Sequence, residues 1–283
     1  MATTVGFVGL GRMGKPIAAQ IVAAGFDLMV FDLRDEPMAE LARLGAKRAR
    51  RLLDLREHSE IVGVAVVDDA QVEEVLMSDS GLLQSGSRDS IIMIHSTIMP
   101  STVRKLAQAG QPKGVTVVDA PVSGGEEGAR NRQLCYMVGG DKEAFEKIRP
   151  ILAASAAHIF HMGELGSGAA AKTILQVLVC INMLGASEAE LLANKCGLDF
   201  RALQDVLRVS SGQSFVADHW LERFKRPDDP LSVRRRRTEV FRESLVPALH
   251  MAKDLDFTLP GAILAQELFQ RIMGLADSGG GST

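Results

Sequence analysis

A glycine-rich turn near the start of the chain has residue types and spacing suited to binding a dinucleotide. It consists of Gly9, Leu10, Gly11, Arg12, Met13 and Gly14. A strand pattern precedes the turn and a helical pattern follows it. In that context the glycines let backbone N–H groups and a helix N-terminus approach a pyrophosphate. The alternative interpretation is a tight turn in an α/β protein that binds no dinucleotide.

Two charged residues near the end of the second strand pattern bear on the choice of dinucleotide. Asp32 lies 18 residues after Gly14, where a carboxylate accepts hydrogen bonds from the adenosine ribose and repels the additional phosphate of NADP. Arg34 could instead pair with that 2′-phosphate. The sequence therefore favours NAD and leaves NADP open.

A second group of polar and small residues follows a later strand pattern. The group is Ser123, Gly124 and Gly125. It comes shortly after Asp119, which would place it at the carboxyl edge of the sheet, where open α/β folds bind ligands. Ser123 offers a hydrogen-bond donor and acceptor, and the two glycines allow the backbone to approach a substrate carboxylate.

Lys172 is the candidate for proton transfer. It follows Gly166-Ser167-Gly168, and its neighbours in a long helical pattern are alanines and aliphatic residues. Desolvation among such neighbours favours the neutral amine that a general base requires. Taken alone, a solvated lysine on a helix surface is the simpler interpretation of this residue.

The elements that must position these residues alternate between strands and helices up to about residue 163. Strand patterns cover Val5–Gly9, Leu28–Phe31, Ile61–Val67, Ile91–Ser96, Val115–Asp119, Leu134–Val138 and His158–His161. Helical patterns include Lys15–Ala24, Gln71–Met77, Thr102–Ala109 and Lys142–Ala154. This alternation predicts βαβ units in a doubly wound, mostly parallel sheet with helices on both faces.

The remainder of the chain is rich in helix-forming residues. A long helix is predicted over Ala169–Lys195, and the helical pattern then continues with one interruption at Arg226–Pro230. We therefore predict a dinucleotide-binding domain over residues 1–163, an all-helical substrate and oligomerisation domain over 164–277, and a disordered Gly- and Ser-rich tail over 278–283.

Composition excludes several functional classes. The 32 Lys and Arg against 35 Asp and Glu give a net charge of −3, which argues against a nucleic-acid partner. Three scattered cysteines and histidines without ligand spacing indicate neither a disulfide framework nor a metal site. We find no signal-peptide pattern and no apolar run near the length of a membrane span, so the sequence predicts a cytoplasmic protein without a membrane partner.

The ordered motifs resemble those of the β-hydroxyacid dehydrogenase family, which includes 3-hydroxyisobutyrate dehydrogenase, tartronate semialdehyde reductase and, more distantly, 6-phosphogluconate dehydrogenase. The matching segments are Gly6–Gly14, His95–Thr97, Asp119–Gly125 and Gly166–Gly168 with Lys172. The resemblance implies a Rossmann domain followed by a helical domain. It also implies an NAD(P)-dependent 3-hydroxyacid dehydrogenase and a homodimer or homotetramer built through the long helix.

The resemblance also implies roles for individual residues. Lys172 would take the hydroxyl proton of a small 3-hydroxy acid as hydride leaves for the nicotinamide. Substrate would be held by Ser123, Gly124 and Gly125. Cofactor contacts would come from Val66, Val67 and Thr97.

Two positions depart from the family pattern. Where the family has an asparagine one turn after the lysine, this chain has Gln176, whose longer amide should change the substrate pocket. The family also has a Lys-Asp-Leu motif 17 residues before a Leu-Pro pair, with its lysine near the nicotinamide. Counting back from Pro260 places Glu243 there, so we interpret Lys253-Asp254-Leu255 as an off-register coincidence. Glu243 would remove an attraction for an anionic ligand.

Three functional hypotheses follow. The first is a dehydrogenase of small 3-hydroxy acids, or a reductase of the corresponding semialdehydes. The second is an imine reductase, against which Lys172 argues because such relatives generally lack the lysine. The third is a catalytically silent NAD(P)-binding module, which Gln176 and Glu243 motivate.

Two further features have simpler interpretations. The run Arg234–Arg237 is typical of a solvated helix face or loop. His95 either lines the ligand cleft or is a hydrogen-bonded structural histidine.

Overall fold

A computed structural model describes residues 3–84 and 90–275 of the chain. The predicted tail, residues 278–283, lies outside the described residues. The chain divides into two compact units, Met1–Lys172 and Thr173–Thr283. The predicted domain boundary follows residue 163, where a strand ends. The boundary between the two units lies nine residues later, after Lys172, so the start of the following helix belongs to the same unit as the sheet.

The first unit is built on one sheet. Its strands are Thr4–Val8 (β1), Asp27–Phe31 (β2), Lys47–Arg48 (β3), Ile61–Val64 (β4), Ser90–Ile94 (β5), Val115–Asp119 (β6), Val122–Ser123 (β7), Leu134–Gly139 (β8) and Ala156–Gly163 (β9). The strand order is β3-β2-β1-β4-β5-β6-β8-β7, with β9 also paired to β8. The strands from β3 to β6 are parallel, which confirms the predicted Rossmann-like sheet.

The helices of this unit connect its strands. They are Gly14–Ala23 (α1), Asp35–Arg43 (α2), Leu52–His58 (α3), Asp69–Met77 (α4), Pro100–Gly110 (α5), Gly125–Arg130 (α6) and Lys142–Leu152 (α7). Two of them begin at an aspartate cap: Asp68 accepts from the Gln71 amide and Asp141 from the Ala144 amide. These caps satisfy helix N–H groups that have no partner within the helix.

Alternate side chains of the central strands enter two different cores. In β5, Ile91 and Met93 belong to one buried cluster, and Ile92 and Ile94 belong to another. Successive side chains of a strand point to opposite faces, so both faces of the sheet are covered. This double burial explains why the strand segments are continuous apolar runs.

The far edge of the sheet departs from the parallel arrangement. Strand β8 is antiparallel to β6 and β7, whereas β9 is parallel to β8. The two-residue strands β3 and β7 are absent from the sequence patterns, and β4 ends at Val64 where a strand to Val67 was expected. Short pairings of this kind depend on neighbouring strands and leave no periodic pattern.

The second unit is helical. Helix α8, Ser167–Lys195, begins in the first unit and continues into the second, as the helix prediction required. The following helices are Phe200–Arg208 (α9), Phe215–Asp218 (α10), Leu231–Ser244 (α11), Val246–Asp254 (α12) and Pro260–Ile272 (α13). A π-helical turn covers Trp220–Lys225, and the predicted interruption at Arg226–Pro230 lies between it and α11.

The arginine run in α11 has two different environments. Arg234 donates to the Met273 carbonyl at 2.8 Å, and the half-buried Arg237 pairs with Asp229. Arg235 and Arg236 are exposed. The interpretation of all four residues as a solvated face is therefore wrong for the two that lie three residues apart on the inner side of the helix.

Helix α8 also corrects one expectation about apolar length. By length and composition alone it could cross a bilayer, although 28% of its most apolar window is buried within the chain. One such helix is weak evidence for a membrane span, because a mostly buried core helix of a soluble protein meets the same criteria. Its exposed apolar side chains include Ile174 and Leu178.

Candidate active site

The three glycines of the first turn have three different environments. A Cβ at Gly9 would lie 2.5 Å from the Ala65 carbonyl oxygen, and one at Gly14 would lie 1.8 Å from the Gly9 carbonyl oxygen. A Cβ at Gly11 would meet nothing within 4 Å. Thus Gly9 and Gly14 allow the turn to pack against β4 and α1, and Gly11 leaves its backbone open. These environments match the requirements of a pyrophosphate-binding turn.

Asp32 and Arg34 form a pair beside this turn. Asp32 Oδ2 accepts the Leu10 N–H at 2.6 Å, and Asp32 Oδ1 accepts Arg34 Nε at 3.0 Å. Burial would raise the pKa of Asp32, but hydrogen bonds from the Arg34 side chain and from the Arg34 and Leu10 amides outweigh it and hold the pKa below its ordinary value. On the sequence alone the two residues have opposite effects on the choice between NAD and NADP, whereas in the structure their side chains are paired with each other.

The ends of β4 and β5 carry the other expected cofactor residues. Ser96 donates to the Val66 carbonyl at 2.7 Å and accepts the Val66 N–H at 3.0 Å, which fixes the loop after β4. Thr97 is half-buried at the end of β5. Val67 is 78% exposed and Leu33, beside Asp32, is 96% exposed. Exposed apolar side chains at this sheet edge could hold the adenine ring.

His95 lies behind the edge and is structural. Its Nδ1 lies 3.0 Å from the Ala120 carbonyl oxygen, and its ring stacks on Phe7. Complete burial lowers the pKa of His95 to about 4, and the hydrogen bond to Ala120 only partly offsets that effect. The neutral ring therefore packs in the core and does not line a cleft.

Asp119 connects the sheet to the start of α8. It is 1% exposed, and its two carboxylate oxygens accept the Gly166 N–H at 2.8 Å and the Ala169 N–H at 2.7 Å. Burial raises the pKa of Asp119, and the backbone hydrogen bonds oppose that rise. Lys172, one turn after Ala169, is half-buried.

Cys135 relates Ser123 to Lys172. Ser123 in β7 lies directly opposite Cys135 in β8, and opposed residues of an antiparallel pair project to the same face. Burial raises the pKa of the Cys135 thiol, and the positive charge of Lys172 partly counteracts it. Cys135 therefore lies opposite Ser123 and within electrostatic range of Lys172. Sequence reasoning missed this cysteine because no local signal reveals the β7–β8 register.

The glycine turn and the Ser123 loop are also neighbours. Arg12 Nε lies 3.3 Å from Glu126 Oε2 in the first turn of α6, and Gln20 of α1 donates to the Arg130 carbonyl at 2.8 Å. Gly124 and Gly125 begin α6 with φ angles of 128° and 66°, a conformation that favours glycine. Cofactor and substrate candidates of the first unit thus lie at one sheet edge.

The remaining candidates belong to the second unit. Gln176 is half-buried and follows Lys172 by one turn of α8. Glu243 is exposed near the end of α11, and Lys253 is exposed near the end of α12. Among residues 3–84 and 90–275, no group of three His, Cys, Asp or Glu side chains could hold a metal ion.

Comparisons with known proteins agree with this arrangement. Residues 4–163 match the NAD binding domain of 6-phosphogluconate dehydrogenase, and residues 166–282 match a family described as NAD-binding of NADP-dependent 3-hydroxyisobutyrate dehydrogenase. The chain is 33% identical to 2-(hydroxymethyl)glutarate dehydrogenase of Eubacterium barkeri, covering 96% of this chain and 90% of that protein. The chain belongs to the β-hydroxyacid dehydrogenase family.

Other relatives support the same assignment. The chain is 40% identical to 3-hydroxyisobutyrate dehydrogenase of Pseudomonas aeruginosa, covering 76% of this chain and 72% of that protein. The structure of Mycobacterium tuberculosis 3-hydroxyisobutyrate dehydrogenase with L-serine is 25% identical, with a TM-score of 0.83 and coverage of 97% and 94%. The chain is thus an oxidoreductase of a family whose members are NAD(P)-dependent 3-hydroxyacid dehydrogenases.

Proposed function

We propose that this dehydrogenase oxidises a small 3-hydroxy acid to the corresponding semialdehyde or keto acid, with Lys172 as general base and NAD as the preferred cofactor. The observation that carries the proposal is that Cys135 lies opposite Ser123 and within electrostatic range of Lys172, while Arg12 of the glycine turn pairs with Glu126 just after the Ser123 loop. In the reverse direction the protonated Lys172 acts as general acid.

The chain's own residues have distinct tasks in the oxidation. When bound, the nicotinamide ring supplies the hydride acceptor. The neutral amine of Lys172 takes the hydroxyl proton as the substrate carbon loses its hydride, and the proton then passes to solvent. Ser123 and the backbone of Gly124 and Gly125 hold the substrate carboxylate, because both glycines are exposed and carry no side chain that would keep a ligand from their backbone.

The preference for NAD rests on Asp32. Each Asp32 oxygen already accepts two N–H groups from Leu10 and Arg34, so we expect ribose hydroxyls to displace part of the Arg34 side chain from this carboxylate. A 2′-phosphate would meet that carboxylate and would compete with it for Arg34. We expect Asp32→Ser to shift the ratio of kcat/KM values toward NADP by about tenfold or more, since a repelling charge is removed.

The substrate class rests on the first unit and on the relatives. Relatives are named for 3-hydroxyisobutyrate and for 2-(hydroxymethyl)glutarate, both of which are small hydroxy acids. Gln176 lies one turn beyond Lys172 and extends its amide by one methylene relative to asparagine. We propose that this amide contacts the substrate and that it favours a compact acid.

A homodimer or homotetramer is the proposed assembly, formed through α8. Its exposed apolar side chains, which include Ile174, Leu178 and Ile181, would be covered by a second copy of the chain. Sedimentation velocity tests this expectation: wild-type protein should sediment as a dimer or larger, and Leu178→Glu should shift it toward monomer. We expect the enzyme to work in the cytoplasm.

The decisive experiment is steady-state turnover with NAD and NADP over 3-hydroxyisobutyrate, L-serine and 2-(hydroxymethyl)glutarate, repeated with Lys172→Ala. We expect turnover to fall about a thousandfold while NAD affinity stays unchanged, because the general base is lost and the glycine turn is intact. Unchanged turnover in the variant would refute the role of Lys172. Reduction of a cyclic imine without oxidation of any hydroxy acid would favour an imine reductase, and NAD binding without turnover would favour the silent module.

A further inference from the structure

Asp119 is a buried carboxylate whose partners are backbone N–H groups at the start of α8. It is the last residue of β6, and the Gly166 and Ala169 amides donate to its two oxygens at 2.8 and 2.7 Å. The Gly168 amide also contributes a hydrogen bond to it. A carboxylate can accept several such bonds at once, whereas a serine or threonine hydroxyl offers fewer acceptor positions.

The same helix end is held by close packing against β8. A Cβ at Gly168 would lie 2.3 Å from the Met137 carbonyl oxygen, and a Cβ at Gly139 would lie 2.5 Å from Asp119 Oδ1. Neither approach is possible for a residue with a side chain. The glycines therefore let Asp119 reach the first turn of α8, and the carboxylate fixes the height and rotation of that turn.

We propose that Asp119 is a positioning residue for proton transfer, which holds α8 so that Lys172 faces the substrate carried by the Ser123 loop. Two chain connections carry this inference. Lys172 follows Ala169 by three residues in the same helix, and Ala120–Gly125 continues directly from Asp119. Asp119 thus binds the start of the helix that carries Lys172, and it directly precedes the loop that carries Ser123. This role rests on the proposed function of Lys172.

The burial of Asp119 supports a role beyond helix capping. Asp141 is exposed and caps α7 with a single hydrogen bond, in which its Oδ1 accepts the Ala144 N–H at 2.9 Å. Asp119 does similar work while 1% exposed, where an ionised group loses solvation. An exposed cap such as Asp141 stabilises a helix without that loss. In its buried position, the Asp119 carboxylate is in direct contact with the first turn of α8.

Asp119→Asn tests the role, with Asp141→Asn as the matched control. The asparagine amide would turn a donor toward one of the two backbone N–H groups, so that the first turn of α8 shifts. We expect kcat to fall about 10- to 100-fold, because small misplacements of a catalytic group have effects of this size. The NAD dissociation constant should change less than about twofold. Asp141→Asn should leave kcat unchanged.

A double-mutant cycle with Lys172→Ala separates positioning from general destabilisation. In that background, turnover is measured with and without added methylamine, a free amine that needs no helix to place it. We expect Asp119→Asn to reduce neither rate further, because its effect acts through Lys172. Multiplicative losses in the double variant would overturn the proposal and would assign Asp119 a structural role.

The outcomes distinguish this inference from the proposed function. Normal turnover in Lys172→Ala would refute the general-base assignment. A large loss in Lys172→Ala together with normal turnover in Asp119→Asn would refute only the positioning role. If Asp119→Asn does not fold, Asp119→Ser, which is smaller and retains an acceptor oxygen, enters the same cycle. Unfolding of both variants would overturn the proposal, since Asp119 would then serve stability alone.

Discussion

The first unit covers both faces of its sheet, whereas the second unit leaves large apolar side chains exposed on several helices. In the first unit the two most exposed apolar residues, Leu33 and Val67, lie at the proposed cofactor edge. In the second unit, exposed residues such as Leu192, Val206 and Leu255 are spread over α8, α9 and the end of α12. The first unit thus exposes fewer of its large apolar side chains, and the two most exposed of them lie at the proposed cofactor edge.

The units also differ in how they hold charged groups. The buried or partly buried carboxylates of the first unit, Asp32 and Asp119, accept backbone N–H groups and frame a site. In the second unit, Glu190 is buried with Lys225 and the Trp220 indole inside the helical core. These carboxylates of the first unit thus bind the backbone of neighbouring segments, whereas Glu190 pairs with side chains of its own helical core.

The largest expected effect tests how tightly the first unit is packed. Gly14→Ala would place a methyl group 1.8 Å from the Gly9 carbonyl oxygen, so we expect loss of NAD binding and destabilisation of about 3 kcal/mol or more. Gly185→Ala in α8 is the control, since a Cβ there meets nothing within 4 Å. It should stabilise the helix by up to about 1 kcal/mol. Chemical denaturation and calorimetric NAD titration measure both, and equal effects would contradict the packing contrast.

The next prediction concerns the buried pair of the second unit. Glu190→Ala removes the partner of Lys225 at 2.6 Å and of the Trp220 indole N–H at 2.7 Å. We expect a loss of about 3 kcal/mol, because a buried cation and an indole donor lose their acceptor. Glu188→Ala, at an exposed position of the same helix, should cost less than about 0.5 kcal/mol. Similar urea midpoints for the two variants would show that the pair contributes nothing.

His95 gives the first unit a distinctive acid response. Its pKa of about 4 lies below the ordinary 6.5, so the unfolded chain binds a proton between these values that the folded chain does not. The free energy of unfolding, and with it the stability of the protein, should therefore fall by about 3 kcal/mol in all as pH falls from about 6.5 to 4. His95→Gln should remove this part of the pH dependence, and exposed His250→Gln should keep it. A wild-type denaturation midpoint that is constant over this interval would contradict the prediction.

The smallest expected effect concerns the departure at Glu243. Glu243→Lys exchanges an exposed anion of α11 for a cation. If that position approaches an anionic cofactor or substrate, KM should fall about three- to tenfold, because the Coulomb interaction changes sign. Glu267→Lys makes the same charge change on exposed α13 and should leave KM unaltered. Equal changes in both variants would indicate a general field effect.

Much of the first unit could be predicted from the chain alone. The seven longer strands, the long helix and the Rossmann-like sheet follow from apolar periods, and the roles of Gly9, Gly11 and Gly14 follow from a short motif beside a strand. Such patterns extend over only a few residues, so they can be recognised in the sequence without knowledge of the tertiary structure. The short strands β3 and β7 could not be predicted, because a partner strand creates them.

The sequence by itself determined the family motifs, the residue types of the site and the order of its elements. Only the tertiary structure decided that Arg34 pairs with Asp32, that Cys135 lies opposite Ser123, and that Asp119 holds α8. The last of these contacts joins residues 50 positions apart along the chain. The geometry of these contacts depends on how strands and helices pack together. The local sequence therefore does not determine the distances between the residues or the directions of their side chains.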